Sequence, residues 1–220
     1  MSVSSVNNNA NHITKLYEKL STGKKINSAA DDPAGLAKAE RMEAEIRKQQ
    51  MQSRNYSISQ AMTNVADGAY SGMASYAQDI ASYETMEGNE LYTDSDVATI
   101  DEAISSLTEG ITDLESQTTF NTMQVIDSGT VDTSSSSSMT SSISSASSAN
   151  GAYYNMLGYS SRVSSVMALN TTAALSRTED TEYGSTVSEL KKEKAMEKYQ
   201  EELQRKRQME EERRANLFNS

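Results

Sequence analysis

Apolar residues at intervals of three and four positions predict a short helix near the start of the chain. The residues in this pattern are Ile13, Leu16, Tyr17 and Leu20, and Gly23 follows as a suitable helix stop. Asp32 and Pro33 then combine a good N-cap with a residue that suits the first helical turn. The sequence therefore predicts a helix that ends at Gly23, a turn, and a new helix that begins at Pro33.

The helix that begins at Pro33 is predicted to be long. Its apolar positions are separated by threes and fours over about fifty residues, and they are Leu36, Met42, Ile46, Ile58, Met62, Val65, Met73, Ile80 and Tyr83. The first strong stop is the sequence Glu87-Gly88-Asn89. A continuous helix to this point would be about 80 Å long at 1.5 Å per residue.

A third helix is predicted by the most regular pattern in the chain. Thr93 to Asp96 offer several N-caps. The apolar residues that follow are spaced 3, 4, 3, 4, 3 and form a heptad seam of Val97, Ile100, Ile104, Leu107, Ile111 and Leu114. This rod seam suits either an intramolecular core or a subunit contact, with core expected at its centre and contact at its flanks.

The second half of the chain begins with a segment that has a weaker helical pattern. Phe120 to Ile126 is predicted to be a short extended segment, and serine dominates from Ser128 to Ser148, which predicts a flexible loop or tip. Helical spacing resumes with Leu157, Val163, Val166, Leu169 and Ala173, and a last helix is predicted from about Tyr183. The predicted fold is all-α: an elongated antiparallel bundle or coiled-coil rod of N- and C-terminal segments with a hairpin-like or irregular tip.

The charge distribution limits the function classes. The net charge is −11, and no Lys or Arg occurs between Arg54 and Arg162, which argues against nucleic-acid binding. No stretch is apolar enough for a membrane span or a cleaved secretion signal, so no membrane insertion is expected. The chain has no cysteine, which excludes disulfides and thiolate chemistry.

Candidate catalytic chemistry is sparse. His12 is the only histidine, so neither a histidine metal site nor a catalytic triad can be built around it. The pair Asp31-Asp32 is better explained by N-capping before Pro33 than by acid–base work. The acidic set Asp94, Asp96, Asp101 and Glu102 lacks the glycine and spacing of a calcium loop. We expect no catalytic residue, cofactor or metal.

Three segments carry a resemblance to bacterial flagellin. Residues 20–36, LSTGKKINSAADDPAGL, resemble the family's N-terminal signature LSSG-x-RINSA-x-DDAAG. Residues 117–121, QTTFN, resemble the x-T-x-FN element, and residues 176–183, SRTEDTEY, resemble the C-terminal SRIEDADYA stretch. The three occur in family order. The resemblance implies a short form without folded outer domains and with a divergent, charged C-terminal helix from Lys191 to Arg214.

The resemblance also implies a domain organisation. Residues 1–30 and 184–220 would be terminal, inner-core helices, residues 31–127 and 150–183 a helical rod, and residues 128–149 the serine-rich tip. It implies self-polymerisation into an extracellular filament after type III export. The implied partners are copies of the chain, an export chaperone, and the filament cap and hook-associated proteins.

Two further residue sets follow from the resemblance. The implied chaperone or inner-core contact comprises Val187, Leu190, Met196, Tyr199 and Leu203. The segment that corresponds to the one sensed by the innate flagellin receptor is Gln78, Asp79, Ile80, Ala81, Ser82 and Tyr83. This segment contains no arginine, whereas recognised agonists carry arginines there, so weak receptor activation is expected.

Two alternatives to a filament subunit remain open from the sequence. One is a hook–filament junction protein, which shares the terminal architecture, although Ile26-Asn27-Ser28 and Glu179-Asp180 favour flagellin. The other is a secreted or cytosolic coiled-coil binding protein that never polymerises. The mixed charge of Lys191 to Arg214, with nine basic and seven acidic residues, supports this second alternative.

Overall fold

The computed structural model of the chain describes residues 3–218, with side chains described for residues 9–214. Five helices dominate it: α1 (Val3–Thr22), α2 (Pro33–Glu87), α3 (Asp94–Gln117), α4 (Ser136–Glu179) and α5 (Tyr183–Phe218). Two short strands, β1 (Thr119–Phe120) and β2 (Met123–Gln124), pair antiparallel as a hairpin. The predicted all-α class is confirmed. The segment from Phe120 to Ile126, predicted to be extended, instead contains the turn of this hairpin at Asn121 and Thr122.

The chain forms two compact units. The terminal unit comprises the N-terminal residues through Arg47 and the residues from Ala168 onward, and the central unit is Lys48–Met167. These boundaries fall inside α2 and α4, whereas the predicted domain boundaries fall in the turns and at the serine-rich segment. The assignment of inner-core and rod roles to these segments stays a prediction.

The predicted helix ends are confirmed where capping chemistry sets them. Gly23 adopts φ of +72°, a left-handed conformation that ends α1 at low steric cost. Asp32 Oδ1 accepts hydrogen bonds from the backbone N–H groups of Ala34 (3.1 Å) and Gly35 (2.9 Å), as an N-cap does. Thr93 forms a capping box with Asp96 at the start of α3.

The apolar core of the central unit lies among α2, α3 and α4. Its buried members include Met73, Ala77 and Ile80 from α2, Ile111 from α3, and Met139 and Ile143 from α4. Ile126 and Val131, from the segment between β2 and α4, are also part of it. The rod seam contributes Ile111 to this core, while Ile104, Leu107 and Leu114 pack against it partly buried. Ile100 is also buried, whereas Val97 is only half-buried.

The prediction of a flexible serine-rich tip is wrong for most of its length. Helix α4 begins at Ser136 and runs through the serines to Glu179. Met139 and Ile143 are buried and Ala146 packs against the core, so an apolar stripe at helical spacing holds the segment. Glu84 of α2 caps its start: Oε1 accepts the Ser136 N–H at 3.0 Å and Oε2 accepts the Ser136 hydroxyl. Packing and capping therefore override the weak helix propensity of serine.

Helices α2 and α4 run antiparallel within the central unit, in one register. Ser53 contacts Ser161 at 2.9 Å between hydroxyl oxygens. Further along, Asn150 Nδ2 donates to the carbonyl oxygen of Thr63 at 2.9 Å. Between these two contacts, Gln60 Nε2 donates to the carbonyl oxygen of Tyr154, so the residue number falls along α4 as it rises along α2.

Candidate functional site

The two terminal motifs meet in the terminal unit. The Lys25 N–H donates to the Glu179 carbonyl oxygen at 2.6 Å, and the Thr181 N–H donates to the Gly23 carbonyl oxygen at 2.8 Å. Between them, Lys24 and Asp180 form an antiparallel bridge. The turn after α1 and the turn before α5 are thus joined through their backbones, and we call residues 23–32 with residues 177–183 the junction.

An ion pair lies at the centre of the junction. Lys24 Nζ lies 2.5 Å from Glu179 Oε1. The Glu179 side chain is 7% exposed, whereas that of Lys24 is 44% exposed. The hydrogen bond to Glu179 raises the pKa of Lys24 above its usual value, and burial opposes this rise only in part. The pair therefore joins a buried carboxylate to a lysine that water still reaches.

Asp31 organises the turn that precedes α2. Its Oδ2 accepts from the backbone N–H groups of Asn27 (3.2 Å) and Ser28 (3.1 Å) and from the Ser28 hydroxyl, while Oδ1 accepts from Lys15 Nζ at 3.2 Å. The hydrogen bond from the Asn27 backbone, with those from Lys15 and Ser28, lowers the pKa of Asp31 to about 2. The N-capping interpretation is therefore correct for Asp32, whereas Asp31 stabilises the turn that precedes it.

Two side-chain contacts extend the junction outward. Lys25 Nζ donates to the Arg177 carbonyl oxygen at 3.1 Å, and the Tyr183 hydroxyl donates to the Leu20 carbonyl oxygen at 3.1 Å. The first bond joins the end of α4 to the turn that follows α1, and the second joins the start of α5 to the last turns of α1. The two sequence signatures are therefore one structural element, although more than 150 residues separate Lys24 from Glu179.

Gly35 is required by close packing at the junction. A Cβ at this position would overlap Asp32 Oδ2 and would lie 2.6 Å from Ile26 Cδ1. Ile26 is buried, so it has little room to move. A glycine after the Asp-Asp-Pro turn is thus explained by the approach of Ile26 to the first turn of α2.

Helices α1 and α5 pack antiparallel beyond the junction. Ile13, Leu16 and Leu190 form a buried cluster, with Leu20 packed against it. Lys194 Nζ lies 4.9 Å from the centroid of the Tyr17 ring, in cation–π range. His12 is exposed and lies 3.8 Å from Glu189 and 3.6 Å from Glu193. The N- and C-terminal helices thus form one body within the terminal unit.

The residues implied as a chaperone or inner-core contact divide into two groups. Leu190 is buried against α1, and Val187 and Leu203 are half-buried. Met196 and Tyr199 are 46% and 58% exposed. Met196 and Tyr199 are therefore available for a partner, while Leu190 is occupied by the α1–α5 contact.

The segment implied for receptor recognition presents a polar face. Ile80 is fully buried in the central core. Gln78, Asp79 and Ser82 are exposed, whereas Ala81 and Tyr83 are half-buried. The exposed surface of this segment carries a carboxylate and no basic group.

The described side chains form no candidate metal centre. Among them, no group of three or more His, Asp or Glu residues is arranged to hold a metal ion. Asp96 acts in the α3 capping box, where its hydrogen bonds with Thr93 lower its pKa. Across residues 3–218, no helix combines the length and apolar character of a transmembrane segment.

Three carboxylates and one lysine with structural roles were not predicted from the sequence. Glu179 pairs with Lys24, and Glu84 caps α4. Glu115 is 4% exposed, and its carboxylate accepts from Val131 N–H at 2.7 Å and Gly129 N–H at 3.1 Å, which holds the loop before α4. The helical spacing of Met139, Ile143 and Ala146 was a signal for α4, but nothing local indicates the long-range partners of these charges.

Comparison with known proteins finds one family. A family model described as the bacterial flagellin N-terminal helical region matches residues 2–131, more than half of the chain. A flagellin of Halalkalibacterium halodurans is 37% identical over 125 residues, which cover 57% of this chain and 46% of that protein. A flagellin of Bacillus subtilis is 36% identical over 135 residues, 60% of this chain and 43% of that protein.

A spirochaete relative extends the comparison. The flagellar filament 41 kDa core protein of Borreliella burgdorferi is 30% identical over 118 residues, 54% of this chain and 35% of that protein. The aligned segment thus spans less than half the length of each of these three relatives.

Proposed function

The chain belongs to the bacterial flagellin family, and on that premise we propose that it is a structural, non-enzymatic subunit of the flagellar filament. In this role it polymerises with copies of itself outside the cell and serves motility. Its relatives include flagellins and a flagellar filament core protein, which supports this proposal.

The junction is the single observation that carries the proposal. A filament subunit has to transmit force between its two terminal helices and the rest of the chain. Backbone hydrogen bonds at 2.6 and 2.8 Å, together with the Lys24–Glu179 pair, join both terminal segments at one point. Because the bonds come from backbone groups, they hold the two turns in one relative position.

Seeded polymerisation tests the proposal. Purified protein is mixed with short fragments of its own or related filaments and imaged by negative-stain electron microscopy. We expect filaments from the wild type. Leu16→Asp places a charge in the buried α1–α5 cluster and should abolish them, whereas the volume-conserving control Leu16→Met should retain them. Folded wild-type protein that forms no filament with any seed would refute the proposal.

A second candidate function is favoured by the end of α5. Every residue from 204 to 214 is exposed, and this stretch is dense in both basic and acidic side chains. A helix that is polar on all sides suits solvent better than the inside of a tube. A secreted binding protein that shares the family fold without polymerising would fit this feature, and the seeding experiment separates the two candidates.

The partners of the subunit belong to the same proposal. An export chaperone would contact Met196 and Tyr199 on the exposed side of α5, and it would reach Leu190 only if α1 were released. The filament cap and hook-associated proteins would meet the assembled chain. The segment from Gln78 to Tyr83 would activate the innate flagellin receptor only weakly. Full potency of the protein in a reporter-cell assay would contradict this.

A further inference from the structure

Two apolar faces of the central unit are exposed over much of their surface. On α2, Met51, Ile58 and Val65 are 53%, 50% and 38% exposed and follow one another at seven-residue steps. Seven residues are nearly two helical turns, so the three side chains lie on one face. We call these three residues the exposed α2 face.

The exposed α2 face continues a surface that α3 covers further along. The next seven-residue step is Gly72, where an added Cβ would lie 3.4 Å from Leu114 Cδ1 of α3. One turn later, Tyr76 packs against Gly110 of α3. The face is therefore a helix-packing surface, and the part from Met51 to Val65 lacks the helix that covers the rest.

A second uncovered face lies on α4. Met156, Tyr159, Val163 and Val166 are spaced 3, 4 and 3, the a/d pattern of a helix-packing seam, and each is more than half exposed. Together they expose a contiguous apolar patch, and exposed apolar patches on monomers are often functional. We call these residues the exposed α4 face.

The exposed α4 face borders an open groove on the surface of the central unit. Met156, Tyr159 and Val163 line an open groove of about 770 Å³, and Gln52 and Tyr56 of α2 line its other side. Leu157 of α4 does not line this groove, and it is buried. Helix α4 therefore packs against the rest of the central unit with one face and leaves a second face exposed to solvent.

Charge identifies the occupant. The central unit has fourteen acidic and three basic residues, so it carries a net charge of −11. Yet no Asp or Glu occurs in residues 46–66 or in residues 133–178. The two exposed faces thus lie in the two acid-free stretches. They are the places where a second acidic copy can approach without carboxylates opposing one another.

We propose that the exposed α4 face of one copy docks on the exposed α2 face of the next copy. This contact rests on the proposed filament function and specifies which surfaces form it. Because the two faces differ, the contact is heterologous and leaves one face free at each end, which allows continued growth instead of a closed dimer.

Cysteine cross-linking tests the pairing, since the chain has no cysteine of its own. Full-length copies with Ile58→Cys are mixed with copies with Val163→Cys under polymerising conditions and treated with a bifunctional thiol reagent about one helix diameter long. We expect cross-linked dimers in the mixture and none from either variant alone. The double variant should give a ladder of higher oligomers. Ser106→Cys on the exposed side of α3 is the control for random collision.

The outcomes separate this inference from the proposed function. Filaments without a 58–163 cross-link, or dimers from Ile58→Cys alone, would overturn the pairing and leave the filament function standing. Absence of wild-type filaments would overturn both. As a second measurement, Ile58→Lys and Val163→Glu should each abolish polymerisation while keeping helicity, since both sites are at least half exposed. The two changes combined in one chain should restore polymerisation, and failure to restore it would contradict direct contact.

Discussion

Lys24→Met should weaken the junction more than Glu179→Gln, although the two changes remove the same ion pair. The Glu179 side chain is 7% exposed and that of Lys24 is 44% exposed. Loss of the lysine leaves a buried carboxylate without its cation. Loss of the carboxylate leaves a lysine that can turn to water and still meet an amide oxygen. The asymmetry follows from burial alone.

The expected magnitudes follow from the same exposures. Removal of one partner of a fully buried pair costs about 3–5 kcal/mol, and an exposed pair contributes about 0.2–1 kcal/mol. Because water reaches Lys24, we expect about 2 kcal/mol for Lys24→Met and about 0.5–1 kcal/mol for Glu179→Gln. The double variant should cost less than Lys24→Met alone, since it leaves no buried charge.

Amide hydrogen exchange measures this effect at the junction itself. The N–H groups of Lys25 and Thr181 donate across the junction, so their protection reports its opening. A loss of about 2 kcal/mol corresponds to roughly 30-fold faster exchange of both amides. The Val131 amide, which donates to Glu115 in the central unit, is the internal control and should not change.

Lys15→Met is the matched control variant. The Lys15 side chain is 54% exposed, and its partner Asp31 keeps hydrogen bonds from Asn27 and Ser28. We expect no more than about 0.5 kcal/mol for this change. Equal effects of Lys24→Met and Glu179→Gln, or additive effects in the double variant, would refute the argument from the buried carboxylate.

Three further predictions concern the close packing at Gly35, the titration of Asp31 and the cap of α4. Gly35→Ala should destabilise the terminal unit by about 1–3 kcal/mol, because the added Cβ overlaps its neighbours at the junction. Gly68→Ala is the control: its Cβ meets open space, so it should stabilise the central unit by up to about 1 kcal/mol. Thermal denaturation measures both. The pKa of Asp31 is lowered to about 2 from an ordinary value of 3.8. The contribution of Asp31 to folding stability is therefore fully present above pH 3.8 and is lost as the pH falls toward 2, and an NMR titration should follow this loss. Glu84→Ala should cost about 1–2 kcal/mol and increase exchange in the first turn of α4, where Glu84 caps Ser136; an unchanged first turn would contradict the capping role.

Local capping signals made the N-terminal half predictable. The Asp32–Pro33 start of α2 and the capping box at Thr93 depend on residues within three positions of each other. The stop at Gly23 depends on one residue's freedom to adopt positive φ. Such short-range rules can be read from sequence because all participants are neighbours in it.

The start of α4 was not predictable by the same rules. Serine competes with the helix by bonding to nearby backbone, so composition alone indicated a loop. The helix forms because Met139 and Ile143 reach a core made by α2 and α3, and because Glu84, 52 positions away, caps Ser136. Tertiary contacts therefore make this segment helical, although its local propensity favours a loop.

The two units differ in what stabilises them. The larger cluster of buried apolar side chains, with Met73, Ile80 and Ile111 at its centre, lies within the central unit, while the terminal helices share a smaller cluster around Leu16 and Leu190. The terminal unit thus depends more on the polar bonds of the junction, and we expect it to open first. Any contact between copies that requires a folded terminal unit would stabilise it by mass action. If copies assemble through the terminal unit, we expect that unit to become more rigid on assembly, because it has the smaller core of the two.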